Sequence, residues 1–146
     1  VINHTIVGID LGKVITAYIN FRNKPFFKTV LNCKDKSFDI VYFYNNLLEI
    51  KKLYIIPFLD ELPSDSKFYI ETIMPYSLSS KISIILEILL IEELKNRNYI
   101  IHLIHPAHIK TLKTQYPRNT FDFPIKNDHQ HTAVVATLAK KYDIII

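Results

Sequence analysis

The sequence predicts an α/β fold, with a mixed five-stranded sheet flanked by helices. Three observations carry this reading. Three segments with strand propensity, HTIVGIDLG, ITAYINF and FFKTVLN, follow one another closely. Two further strand-like runs, KFYIET and YIIHLI, come later and are separated by a helical stretch. The chain then closes on a helical pattern, DHQHTAVVATLAKKY. Closely linked strands form an antiparallel meander. Strands alternating with helices add to a sheet in parallel.

Each element has its own signal. HTIVGIDLG is apolar on both faces, which predicts a central strand. ITAYINF and FFKTVLN are joined by the polar linker RNKP. Residues 43 to 60 mix apolar and charged positions and predict a helix that is irregular near Pro57. ELPSDS is a loop, and KFYIET is the fourth strand. A long helix follows over about 77–95. YIIHLI is the fifth strand, and HPAHIKTLK turns from it into a short helix. QYPRNTFDFPIKN is a loop with two prolines. The last helix opens near Asp128, where a carboxylate is favoured by the helix dipole.

The chain has 146 residues, the size of one ordinary domain, here taken as 1–146. Its only glycines are Gly8 and Gly12. That excludes a glycine-rich dinucleotide or P-loop cradle, which needs several close together. A single cysteine, Cys33, excludes an intrachain disulfide and a cysteine-rich zinc site, and points to a reducing compartment. No signal peptide is visible, so the expected location is cytoplasmic and not secreted. The longest apolar run, Ile84 to Ile91, contains Glu87 and is too short to span a bilayer. The absence of an initiator Met points to a trimmed start. Ile144-Ile145-Ile146 reads as an interrupted strand or a truncation. The formal net charge is +4, weak evidence for an anionic partner. Its distribution says more: Lys95, Arg97, Lys110, Lys113 and Arg118 follow one another with no Asp or Glu between. Such a stretch suits a phosphate backbone.

The acids carry the chemistry. Asp10 lies in the most apolar strand, between Gly8 and Gly12, and a buried aspartate needs a partner. Glu71 ends the fourth strand. Asp128 begins the last helix, with His131 at i+3 on the same face. In this topology the first and fourth strands are neighbours and the last helix packs near both, so these four residues are expected to converge. Two divalent cations about 4 Å apart can clamp the attacking and leaving oxygens of a phosphodiester. Magnesium prefers carboxylate oxygens and water. The expected site therefore holds two Mg2+ or Mn2+ ions, with Asp10 bridging and Glu71, Asp128 and His131 completing the ligands. Lys110 is expected to stabilise charge at the phosphate, with Lys113, Arg118 and Lys126 holding the flanking DNA. His102, His105 and His108 are spaced by three, but a proline interrupts them and no fourth zinc ligand is evident. In the long helix, isoleucines and leucines cover most of the circumference and Ser80, Ser83 and Glu87 form a narrow polar stripe. One side packs on the sheet, and a symmetric dimer through this helix would cover the other.

These residues resemble the RuvC-type Holliday junction resolvases, within the ribonuclease H-like superfamily. The resemblance rests on IVGIDLG with Asp10, FYIET with Glu71 before a long helix, HPAHIKTLK with Lys110, and KNDHQHTAVVATLA with Asp128. It covers roughly Ile6 to Lys141, and chains of the poxvirus and phage branches are of similar length. It implies a homodimer that binds four-way DNA junctions and nicks two opposed strands symmetrically with magnesium or manganese. It implies that Asp10, Glu71 and Asp128 are metal ligands and that Lys110 matches a basic residue near the scissile phosphate. A location at a bacterial or phage nucleoid or a viral factory would follow. The sequence departs from the family at His131, where a second aspartate is usual. A neutral imidazole can ligate a divalent ion but shifts preference toward manganese or softer ions. The catalytic domain of a DEDD transposase or recombinase, a branched-nucleic-acid-binding module with a weak site, and an RNase H-type enzyme acting on hybrids are the alternatives.

Overall fold

The computed structural model describes residues 4–34, 39–73, 81–139 and 144–145. Strands β1 (Ile6–Asp10), β2 (Val14–Phe21) and β3 (Lys24–Asn32) form the meander. β4 (Lys67–Glu71) and β5 (Ile100–Ile104) lie parallel to β1, and the two-residue β6 (Ile144–Ile145) adds antiparallel to β5. The order is β3-β2-β1-β4-β5-β6, so β1 is central as its all-apolar pattern requires. The five expected strands and their directions are all present, and Ile144–Ile145 extends the sheet by one short strand.

Local chemistry explains the connections. β2 turns into β3 through Arg22 and Asn23, whose φ values of 50° and 63° are the left-handed pair of a two-residue hairpin turn. β3 is an edge strand, which is where Pro25 can sit without removing a needed ladder donor. The helical stretch after β3 is broken into α1 (Ile40–Asn45), α2 (Leu47–Ile50) and α3 (Ile56–Asp60), with a π turn over Lys51–Ile55. Pro57 lies in the first turn of α3. A wider turn just ahead of it relieves the clash its ring would make with the carbonyl four residues back. The remaining helices are α4 (Lys81–Asn96), α5 (Pro106–Gln115) and α6 (Asp128–Ala136). The expected start of the long helix, 77–80, falls outside the described residues.

Side chains alternate across the sheet. Val7 and Ile9 of β1 and Phe68 and Ile70 of β4 face one way, into a core shared with Leu86, Leu90 and Leu94 of α4. Each such fully buried side chain contributes about 1.5–3 kcal/mol. Gly8 and Asp10 face the other way, under α5 and α6. A Cβ on Gly8 would lie 1.8 Å from the Ala133 carbonyl oxygen of α6. The missing side chain therefore sets how closely α6 approaches β1.

In helix α4 the polar stripe of Ser83 and Glu87 lies on the buried side. The Glu87 carboxylate accepts from the Ile73 amide at 3.3 Å and bonds the Thr72 side chain, fastening the chain just after β4. The polar stripe is needed inside because the backbone leaving β4 has donors to satisfy. Ile88, by contrast, is 59% exposed.

Gly8→Ala is expected to destabilise the fold by roughly 1–3 kcal/mol through overpacking. Gly12→Ala is expected to change it by less than about 0.5 kcal/mol, since a Cβ there meets nothing closer than 3.6 Å. Urea unfolding of both variants checks this; equal midpoints would show that α6 is not seated on Gly8.

Candidate active site

Asp10 and Glu71 are the last residues of β1 and β4. The two strands pair in parallel with Ile9 opposite Ile70. The next step along each places the two carboxylates side by side on the α6 face. The carboxyl ends of parallel strands are where open α/β sheets present ligand sites. Asp10 is buried, and burial pushes its carboxyl above the ordinary aspartate value against the pull of His129 and Lys113. Burial first, then the neighbouring Asp10, pushes Glu71 up to about 7, while Lys113 draws it down.

Asp128 reaches the same cluster from the first position of α6. Asn127 caps that helix, its side chain accepting from the Gln130 amide at 2.9 Å, and the Gln130 side chain accepts from the Lys126 amide at 2.8 Å. This reciprocal cap fixes the start of the helix. Asp128 is 72% exposed and its carboxylate meets Lys113 Nζ at 2.9 Å. The Lys113 ammonium holds its carboxyl below the ordinary range, with help from Arg118 and His129. Asp128 also raises both Asp10 and Glu71, so the three acids share one electrostatic field.

The structure differs from the sequence expectation in which basic residues join them. His129, not His131, meets Asp10: its Nδ1 lies 2.6 Å from Asp10 Oδ2. His131 is buried, and its Nε2 lies 2.7 Å from the Tyr116 carbonyl oxygen, tying α6 to the end of α5. Lys113, not Lys110, reaches an acid; Lys110 is exposed on α5 without an ion pair among the described residues. Arg118 lies in a short 3-10 turn and Lys126 just before α6, both exposed. The three histidines near β5 are separate: His102 is buried and stacks on Tyr69, and His105 caps α5, accepting from the Ala107 amide at 3.0 Å.

Two carboxylates with raised proton affinity, Asp10 and Glu71, beside a third at Asp128 call for positive charge. Their oxygens are donors of the kind magnesium and manganese prefer. Among the described residues no group of three His, Cys, Asp or Glu is gathered closely enough to hold an ion. Lys113 and His129 supply the compensating charge or hydrogen bond in this arrangement. The donor chemistry fits a hard divalent cation, for which Asp128 would exchange Lys113 while Asp10 keeps one oxygen on His129.

No family model and no curated protein sequence matches the chain. Among solved structures, it is similar to Thermus thermophilus RuvC in complex with a Holliday junction substrate. That match has a TM-score of 0.54 and 11% identity, over 92% of this chain and 90% of the other. Thermus thermophilus RuvC on its own gives a TM-score of 0.53 and 11% identity, over 92% and 91%. The chain thus has the RuvC fold, the ribonuclease H-like arrangement that its strand order implies.

Glu71 makes stability depend on pH in a definite direction. Its folded value of about 7 lies above the ordinary 4.5, so the native state holds a proton that the unfolded chain has released. Its contribution is favourable below pH 4.5 and is lost as pH rises through 7. Glu71→Gln is expected to raise Tm above pH 7 and to flatten the decline between 4.5 and 7, measured by thermal melts in chelator. A mutant curve parallel to the wild type would contradict the raised value.

Proposed function

We propose that this chain is a structure-selective endodeoxyribonuclease that resolves four-way DNA junctions. The observation that carries this is the placement of Asp10 and Glu71 side by side on β1 and β4, beneath Asp128, in the RuvC fold. One RuvC structure with this fold is a complex with a Holliday junction substrate, and the same substrate class is proposed here. No helix among the described residues is long and apolar enough to cross a membrane.

Asp10, Glu71 and Asp128 would hold Mg2+ or Mn2+, two ions in this reading, with Asp10 shared. Such ions supply an acidified water and neutralise charge on the phosphate. The chain's own residues do the rest. His129 orients Asp10 through its hydrogen bond. Lys113 stands at the mouth of the site, where its ammonium can turn from Asp128 to a phosphate oxygen. Lys110, Arg118 and Lys126 are exposed cations flanking it, suited to phosphates on either side. His131 contributes by holding α6 against α5, which keeps Asp128 over the strand ends.

A homodimer belongs to the same reading. The outward face of α4 carries the exposed Ile88 beside partly buried Ile84, Ile85 and Ile91, while Ser83 and Glu87 point inward. An apolar outer face on a helix whose inner face is already buried suits self-association. Two sites at a fixed separation would select a branched substrate by shape without reading bases.

A labelled synthetic junction tests the activity, in Mg2+ and separately in Mn2+. Paired symmetric nicks are expected, with Asp10→Asn lowering the rate a hundredfold or more, about 3 kcal/mol of lost transition-state stabilisation. His129→Ala is expected to lower it more than Lys110→Ala. Mn2+ is expected to raise the Tm of the wild type but not of Asp10→Asn. Tight junction binding without nicks in either metal would instead identify a branched-DNA-binding module. For the dimer, Ile88→Glu is expected to halve the mass seen by light scattering; an unchanged mass would place the interface elsewhere.

A further inference from the structure

We infer that a second pocket, at the end of the sheet opposite the acids, binds a phosphate-bearing ligand. The cavity is about 220 Å3 and sits where β1 and β4 begin and the β2–β3 hairpin turns. His4, Asn20, Arg22, Lys67 and Tyr69 line it, and no carboxylate does. Neither Arg22 nor Lys67 has an ion pair among the described residues. Two cations facing one concavity without an acid repel each other unless an anion lies between them.

Two further atoms point to a ligand. His4 Nδ1 and Asn20 Oδ1 are buried with no hydrogen-bond partner. Asn20 also bonds the Tyr18 side chain. A buried polar atom without a partner costs about 1–3 kcal/mol, and native structures retain few of them. A phosphate alone would satisfy Arg22 and Lys67. A phosphate with a neighbouring hydroxyl or amino donor would also satisfy Asn20 Oδ1. That combination is the chemistry of a nucleotide, whether free or at the backbone of a nucleic acid strand.

The hairpin turn gives this pocket its shape. Arg22 has φ 50°, a left-handed conformation that is uncommon for a long side chain. Asn or Gly is the usual residue there. Arginine at such a position carries a cost that a charge-dependent role explains and a turn alone does not. The guanidinium also lies over the Phe21 ring, 5.0 Å from its centroid.

The test is a titration of the full 15N-labelled chain at constant ionic strength, followed by NMR. The probes are inorganic phosphate, adenosine monophosphate and an unphosphorylated single DNA strand. Saturable shifts are expected at the Asn20 side-chain amide and at Asn23, tighter with the mononucleotide than with phosphate. Arg22→Asn preserves the turn and Lys67→Gln preserves the strand, and each is expected to weaken binding about tenfold. Shifts with the DNA strand alone would support the same pocket with a backbone phosphate as its natural occupant. No saturable shift at these residues with any of the three probes would overturn the proposal. So would affinities unaffected by either substitution. Binding is read here without cleavage, so it stands or falls apart from the nuclease reading.

Discussion

The arrangement depends on one close approach, α6 lying directly on Gly8 of β1. Nothing but hydrogen fits between that Cα and the Ala133 carbonyl. The contact seats the helix along the central strand and brings its first turn to the strand ends, where Asp10 and Glu71 stand. A larger residue would lift α6 and carry Asp128 and His129 away with it. Packing in the middle of the sheet thus sets electrostatics at its edge.

The second constraint is polar. Burial first, and neighbouring acids after it, raise Asp10 and Glu71, and the chain answers with Lys113 and His129. Lys113 joins α5 to α6 through Asp128, and His129 joins α6 to β1 through Asp10. Burying charges is costly unless they are matched. The acid cluster is accordingly where the fold carries an electrostatic cost. On the opposite face, Glu87 shows the ordinary use of a buried acid, capping the backbone that leaves β4.

Much of this was legible in the residues. The central strand announced itself by being apolar on both faces, and the meander by the short polar linker RNKP. Asp10, Glu71 and Asp128 could be placed together because strand order follows from the alternation of elements. The partners of the acids were harder to read. Asp128, His129 and His131 fall within four residues, and helical spacing favours His131 as the neighbour of Asp128. Only the position of α6 against Gly8 decides that His129 faces Asp10 while His131 turns to Tyr116. Likewise Lys110 and Lys113 lie about one turn apart on α5, and the rotation of that helix, fixed by Ile109 and Leu112 in the core, selects Lys113. For α4 the pattern left the orientation open, because an almost wholly apolar helix does not say which side is the outside. The backbone donors after β4 decide it, and they are invisible to periodicity.

The internal pairing of the acids has a consequence for the order of events in the life of the molecule. In small metal-built domains the ion is the scaffold, and chain and ion become ordered together. Here the lysine and the histidine already close the circuit. On the proposed reading, an incoming ion would have to displace Lys113 from Asp128. Folding and loading would then be separable, and a chelator would be expected to strip the ion without unfolding the chain.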